Sequence, residues 1–196
     1  IRISDFEDAR KFYDYIKEKG FGVVEEYLIN HDKIREVYEP ALNTMRMITI
    51  IGDDKEPHLF FAAQKFGVDG RFIDVHGIHA PIDLEKGVVH FPFHSGNTDT
   101  DLIYTKHPDT GYDLTNYEVP MFKEAKDMIL RAAMKVPEMR YVGWDVAVTN
   151  KGPKIVEGND YTAYDYMQLP YQNPSRIGVI PDILKLVPSF KDELRK

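Results

Sequence analysis

Between positions 143 and 159, apolar and polar residues alternate on both sides of Asn150-Lys151-Gly152, which predicts two short strands joined by a tight turn. The same alternation marks β-rich runs at 43–51 and 58–66, separated by a turn at Asp53-Asp54-Lys55-Glu56-Pro57. Further turn signals at Asp69-Gly70 and Asp83 to Gly87 predict short strands near 71–76, 78–82 and 88–91, and the run 23–29 reads as another strand. Helical spacing appears twice. Ser4 and Glu7 form a capping box ahead of Phe6, Ala9, Phe12, Tyr13 and Ile16, and Gly20 stops the run. Pro120 opens a second helix with an apolar stripe of Phe122, Ala125, Met128, Ile129, Ala132 and Ala133, ending before Pro137. Residues 94–117 lack periodicity and predict a long functional loop. A tail at 160–180 rich in Tyr, Gln and Pro leads to a short helix near Pro181. The expected class is α+β, an antiparallel sheet with helices on one side.

Composition narrows the function. A chain of 196 residues with 43% hydrophobic content can bury one sizeable core. A formal charge of −7 leaves no basic stripe to neutralise phosphates, which argues against nucleic acid or an anionic membrane as partner. A small phosphate ligand needs only a few local cations. Zero cysteines exclude disulfides and thiolate chemistry and fit a reducing cytoplasm. No apolar run is long enough for a membrane span. The chain opens on Ile1 rather than Met, just before a helix, which suggests an excised or processed fragment.

The hairpin carries the candidate chemistry. A three-residue turn pairs 149 with 153, 147 with 155, 145 with 157 and 143 with 159. Asp145 then faces Glu157, with side chains about 5 Å apart at Cβ, a repulsive arrangement unless a cation intervenes. Asn159 falls on the same face, opposite a glycine. Two carboxylates and an amide oxygen suit Mg²⁺ or Mn²⁺. The alternative is a hairpin whose acids point to water. Arg46 alternates with Thr44, Ile48 and Ile50 on one strand face, either a surface residue or a fixed cation. The histidines at 76, 79, 90, 94 and 107 fit no common zinc spacing; His94 and His107 are better placed to line an acceptor pocket. The twelve Tyr and eleven Phe fall mostly at core spacing, although Tyr161, Tyr164, Tyr166 and Tyr171 follow the hairpin and could border a substrate.

The wording GWDVAVTNKGPKIVEGN, with Asp145, Glu157 and Asn159 in that order, resembles the magnesium-binding end of the ATP-grasp fold, in the sugar-transfer-associated branch that includes hexapeptide-transferase-related proteins. NTMRMITI at 43–50, IHAPIDLEKGVV at 78–89 and HPDTGY at 107–112 resemble other blocks of that branch in the same order. The resemblance implies a C-terminal ATP-grasp subdomain over 29–180. Residues 1–28 would end the preceding subdomain and form the hinge, and 181–196 a helical tail. It further implies ATP and Mg²⁺ as cofactors, with Asp145, Glu157 and Asn159 as metal ligands and Arg46 as the catalytic cation. Glu25, Glu26, Tyr27 and Leu28 would meet adenine, His31 or Asp32 the ribose, and Lys65 the nucleotide. Arg71 and Asp74 stand where relatives carry polar residues, but Asp74-Val75-His76-Gly77 departs from the paired glycines expected there. The implied activity is ligase-like, activating a small carboxylate for a sugar-linked acceptor in cell-surface polysaccharide metabolism. The upstream lysine lobe would lie outside this chain. The rival reading is a non-catalytic nucleotide-binding module that accompanies a sugar transferase.

Overall fold

The structure, a computed structural model, describes residues 3–74, 76–90, 93–95, 103–168 and 177–193. Its centre is a seven-stranded antiparallel sheet in the order β5-β4-β3-β2-β1-β6-β7. The strands are β1 (Thr44–Ile51), β2 (Pro57–Phe66), β3 (Ile78–Pro81), β4 (Phe93–Ser95), β5 (Ile103–Tyr104), β6 (Tyr141–Thr149) and β7 (Gly152–Asn159). The helices are α1 (Ala9–Lys19), α2 (Asp32–Val37), α3 (Phe122–Ala133), α4 (Ile180–Leu186) and α5 (Phe190–Glu193). No helix among the described residues is long and apolar enough to cross a membrane.

Strand alternation gives the sheet two unlike faces. Met45, Met47, Ala62, Phe66, Val142, Trp144, Val146 and Val148 turn to one side and join Phe122, Ala125, Ile129 and Ala133 of α3 in the core. The predicted stripe of this helix is therefore the one that is buried. Trp144 Nε1 donates to Thr49 Oγ1 at 2.9 Å, so the one polar atom of the indole is satisfied inside that core. The opposite face carries Arg46, Ile48 and Ile50. At its end it meets α4, where Ile50 and Tyr141 line a groove together with Ile180 and Ile183. Helices therefore flank both faces, not one.

Other expectations are corrected. Asp8 caps α1, its carboxylate accepting from Lys11 N–H at 2.8 Å, while Ser4 falls in a preceding 3₁₀ turn. Gly20, at φ 69°, ends the helix as expected. None of α1 is buried; the rings of Phe6, Phe12, Tyr15 and Phe21 pack against one another, with centroids 5.2–6.4 Å apart. Residues 23–29 form no strand, and Val23 and Tyr27 are 73% and 87% exposed. A run of β-formers needs a neighbouring ladder before it becomes a strand. Residues 71–74 contribute only the bridge from Ile73 to Leu42. The expected strand at 88–91 is reduced to single bridges, Val89 to Ile82 and Val88 to Glu118.

The stretch expected as a loop at 94–117 contains the end of β4, then β5 and a tight turn in which Gly111 N–H donates to His107 C=O at 2.8 Å. His107 does not line a pocket. It is 1% exposed, its Nε2 lies 2.8 Å from Gly67 C=O, and its ring stacks on Tyr38 at 5.0 Å. Burial holds its pKa below the usual histidine range. His94 is described by its backbone alone, which pairs with His79, and Tyr171 lies outside the described residues.

Candidate functional site

The hairpin turn is shorter than the alternation suggests. Thr149 pairs with Gly152, Ala147 with Lys154 and Val146 with Ile155, so only Asn150 and Lys151 form the turn. A bulge then inserts Val156, and Asp145 pairs with Glu157, Trp144 with Gly158 and Gly143 with Asn159. One residue lost at the turn and one gained at the bulge leave Asp145, Glu157 and Asn159 sharing a face.

Next to them the central strands set a row of charge. Arg46 is paired with Asp145 across β1 and β6 and with Ala63 across β1 and β2. Its guanidinium grips the Asp145 carboxylate as a fork, Nε to Oδ1 at 3.0 Å and Nη2 to Oδ2 at 3.2 Å. Lys65, two residues beyond Ala63, reaches Asp145 Oδ1 at 3.3 Å and Asp74 Oδ1 at 3.3 Å. Asp74 Oδ2 in turn accepts from Thr44 N–H at 2.7 Å and Thr44 Oγ1–H at 2.8 Å. Asp145 Oδ1 has ion pairs but no well-aligned hydrogen bond. Burial pushes the Asp145 carboxyl above its usual range, and Lys65 and Arg46 pull it part of the way back. Glu157 is held below its usual range, first by the hydrogen bond that Asn159 Nδ2 donates to Oε1 at 3.0 Å.

The geometry brings Arg46, Lys65, Asp145, Glu157 and Asn159 together. Among the described residues no three His, Cys, Asp or Glu side chains converge to cage a metal. The donor set is two carboxylates and an amide; Glu157 and Asn159 line a cavity of about 230 Å³ with Arg46 and Thr162, while Asp145 is buried beside Arg46. That chemistry fits a hard divalent ion that keeps water or phosphate oxygens in its shell. Such an ion would compete with Arg46 and Lys65 for the Asp145 oxygens.

A larger groove of about 760 Å³ adjoins along β7, where Val156 lines the groove and Glu157 the cavity. Glu25, Glu26, Tyr27 and Leu28 form one wall, and Leu42, Phe72 and Lys154 contribute to the others. His31 and Asp32 are outside this lining. His31 caps α2, its Nδ1 accepting from Lys33 N–H at 3.2 Å, and Asp32 N–H donates to Asn150 Oδ1 at 3.1 Å. Asp32 also pairs with Arg35 at 3.4 Å. Arg71 is exposed in a turn.

Sequence reasoning missed Thr162, whose Oγ1 accepts from Arg46 Nη1 at 2.8 Å. The signal was Gly143, a glycine inside a strand where another group approaches closely. A Cβ at Gly143 would collide with the Thr162 side chain. Asp74, whose role the local wording left open, positions Lys65 and Thr44.

A model of the sugar-transfer associated ATP-grasp family matches residues 10–177. The chain belongs to this family, and the sheet with its flanking helices is consistent with an ATP-grasp subdomain. Membership implies nucleotide binding and ATP-dependent, ligase-like activity. The chain shows no significant similarity to a curated protein or to a solved structure.

Proposed function

We propose that this chain supplies the metal-binding, charge-bearing side of an enzyme that uses ATP and Mg²⁺ to activate a carboxylate as an acylphosphate. The observation that carries the reading is Asp145 set opposite Glu157, with Arg46 and Lys65 beside them. A carboxylate oxygen attacks the terminal phosphorus of ATP, the bond to the bridging oxygen breaks, and ADP leaves with that electron pair. An amine or thiol then attacks the carbonyl carbon, inorganic phosphate leaves, and the nucleophile's proton passes to solvent.

Little covalent work falls to the protein; it positions groups and offsets charge. A bound divalent ion would supply positive charge against the phosphates. Asp145, Glu157 and Asn159 are the residues that would hold it. Arg46 is fixed by Asp145 and Thr162 at the mouth of the cavity, where its fork suits phosphoryl oxygens. Lys65 stands behind it as a second, buried cation. The groove wall at Glu25, Glu26, Tyr27 and Leu28 takes the adenine, with residues 1–28 as the connection to the preceding lobe, 29–180 as the catalytic subdomain and 181–196 as its tail. The family's association with sugar transfer favours an acceptor in cell-surface polysaccharide metabolism and a sugar transferase as partner.

Hydrogen exchange tests the placement directly. A non-hydrolysable ATP analogue with Mg²⁺ should protect the backbone of 25–30 and 154–159, and the protection should need the metal. Unchanged exchange in both segments at saturating analogue would remove the nucleotide from this face.

A further inference from the structure

On the same sheet face lies a second groove, of about 670 Å³, that the nucleotide chemistry does not use. Its walls are Ile50 and Tyr141 from the sheet, Met167 from the segment after β7, and Ile180, Ile183 and Val187 from α4 and its C-cap. A volume of this order suits a drug-sized apolar body better than a single amino-acid side chain.

The groove is built into the fold. Asp53, at the end of β1, accepts from Ser189 N–H at 2.8 Å, Ser189 Oγ–H at 2.9 Å and Arg140 Nη2 at 2.9 Å, while its own N–H donates to Leu186 C=O at 2.9 Å. The helical wall is thereby fastened to the sheet. The groove neighbours the charged cavity along two chain segments. Ile48 lines the cavity and Ile50 the groove; Tyr161 and Thr162 line the cavity, and Tyr164 and Met167 the groove.

The lining also holds the polar side chains of Arg140, Tyr141, Tyr164 and Gln168, and one buried atom among them is left without a partner. The Tyr141 hydroxyl is buried and has no hydrogen-bond partner among the described residues. A buried hydroxyl without a partner is costly, which makes it a place for a ligand oxygen. Tyr141 lies two residues before Gly143 on β6, on the strand face that leads to Asp145.

We propose that this groove takes the apolar tail of the carboxylate that the neighbouring cavity activates, so that the substrate class is an aliphatic acyl chain, with the Tyr141 hydroxyl donating to its carboxylate head. The proposal rests on the carboxylate-activating reading for the fate of the head group, but the binding event needs neither nucleotide nor metal.

Decanoate, acetate and decanol, titrated calorimetrically into the chain without ATP or Mg²⁺, test it. Decanoate should bind saturably at one site and acetate should not. Ile180→Glu, at a position 40% exposed and so tolerant of change, should weaken decanoate about tenfold or more. Tyr141→Phe should weaken decanoate about three- to tenfold while leaving decanol unchanged. Absence of saturable decanoate binding, or equal affinity in both variants and the parent, overturns the assignment. Nucleotide-dependent protection of 25–30 without decanoate binding would remove the groove proposal and leave the ATP reading standing. Decanoate binding without that protection would do the reverse.

Discussion

Asp145 and Glu157 face each other across β6 and β7 because the bulge at Val156 offsets a hairpin turn of only two residues. Remove either irregularity and the outer strand slips by one residue, which turns Glu157 and Asn159 to the opposite face. The pairing of two carboxylates thus depends on a backbone defect at the residue next to Glu157. It is tolerated because β7 is an edge strand, where a bulge breaks only one ladder.

Glu157→Gln should lower Mg²⁺-dependent ATP turnover by about a hundredfold or more while leaving the fold intact. Glu157 is exposed, and the amide keeps an oxygen for Asn159 Nδ2. Losing one of two facing negative charges also relieves repulsion. Phosphate-release assays beside thermal melts check both halves; unchanged turnover ends the metal assignment.

Asp74→Ala should destabilise the chain by about 3 kcal/mol, because it leaves Lys65 partly unpaired and Thr44 without an acceptor in a buried setting. Urea denaturation of the variant measures this. A loss within the range of an ordinary surface change would mean that Asp145 alone satisfies Lys65.

Gly143→Ala should displace Thr162 and with it one of the anchors of Arg46. A stability cost of about 1–3 kcal/mol is expected from overpacking. Turnover should fall further than Thr162→Ala lowers it, since the alanine methyl also crowds the strand facing Asn159. If Gly143→Ala matches the parent in both measurements, the close approach has no functional part.

Asp53 is held at about 2, first by the Ser189 N–H and then by Arg140 and the Ser189 hydroxyl. A carboxyl depressed in the folded state stabilises it above the ordinary carboxylate pKa, and that contribution is lost as pH falls toward the folded value. The stability gap between parent and Asp53→Asn should therefore be constant at neutral pH and close between about pH 4 and pH 2. Melting curves across that window test it; a gap that persists at pH 2 would mean that charge is not what fastens the C-terminal helices.

Local pattern fixed much of this molecule. Alternation located β1, β2, β6 and β7, helical spacing identified the buried stripe of α3, and the two-residue spacing of Glu157 and Asn159 put both on one face of β7. These are properties of adjacent residues, and period alone decides which of them turn together. The tertiary structure decided the rest. The strand-like run at 23–29 joins no strand among the described residues, α1 carries an apolar stripe of which nothing is buried, and His107 is walled in by Tyr38 and Phe66 instead of lining a pocket. Nothing in sequence spacing brings Lys65 and Asp74 to Asp145, or Thr162 into the space above Gly143. Those contacts join residues far apart in the chain, and only the closing of the sheet, with its bulge and short turn, brings them within reach.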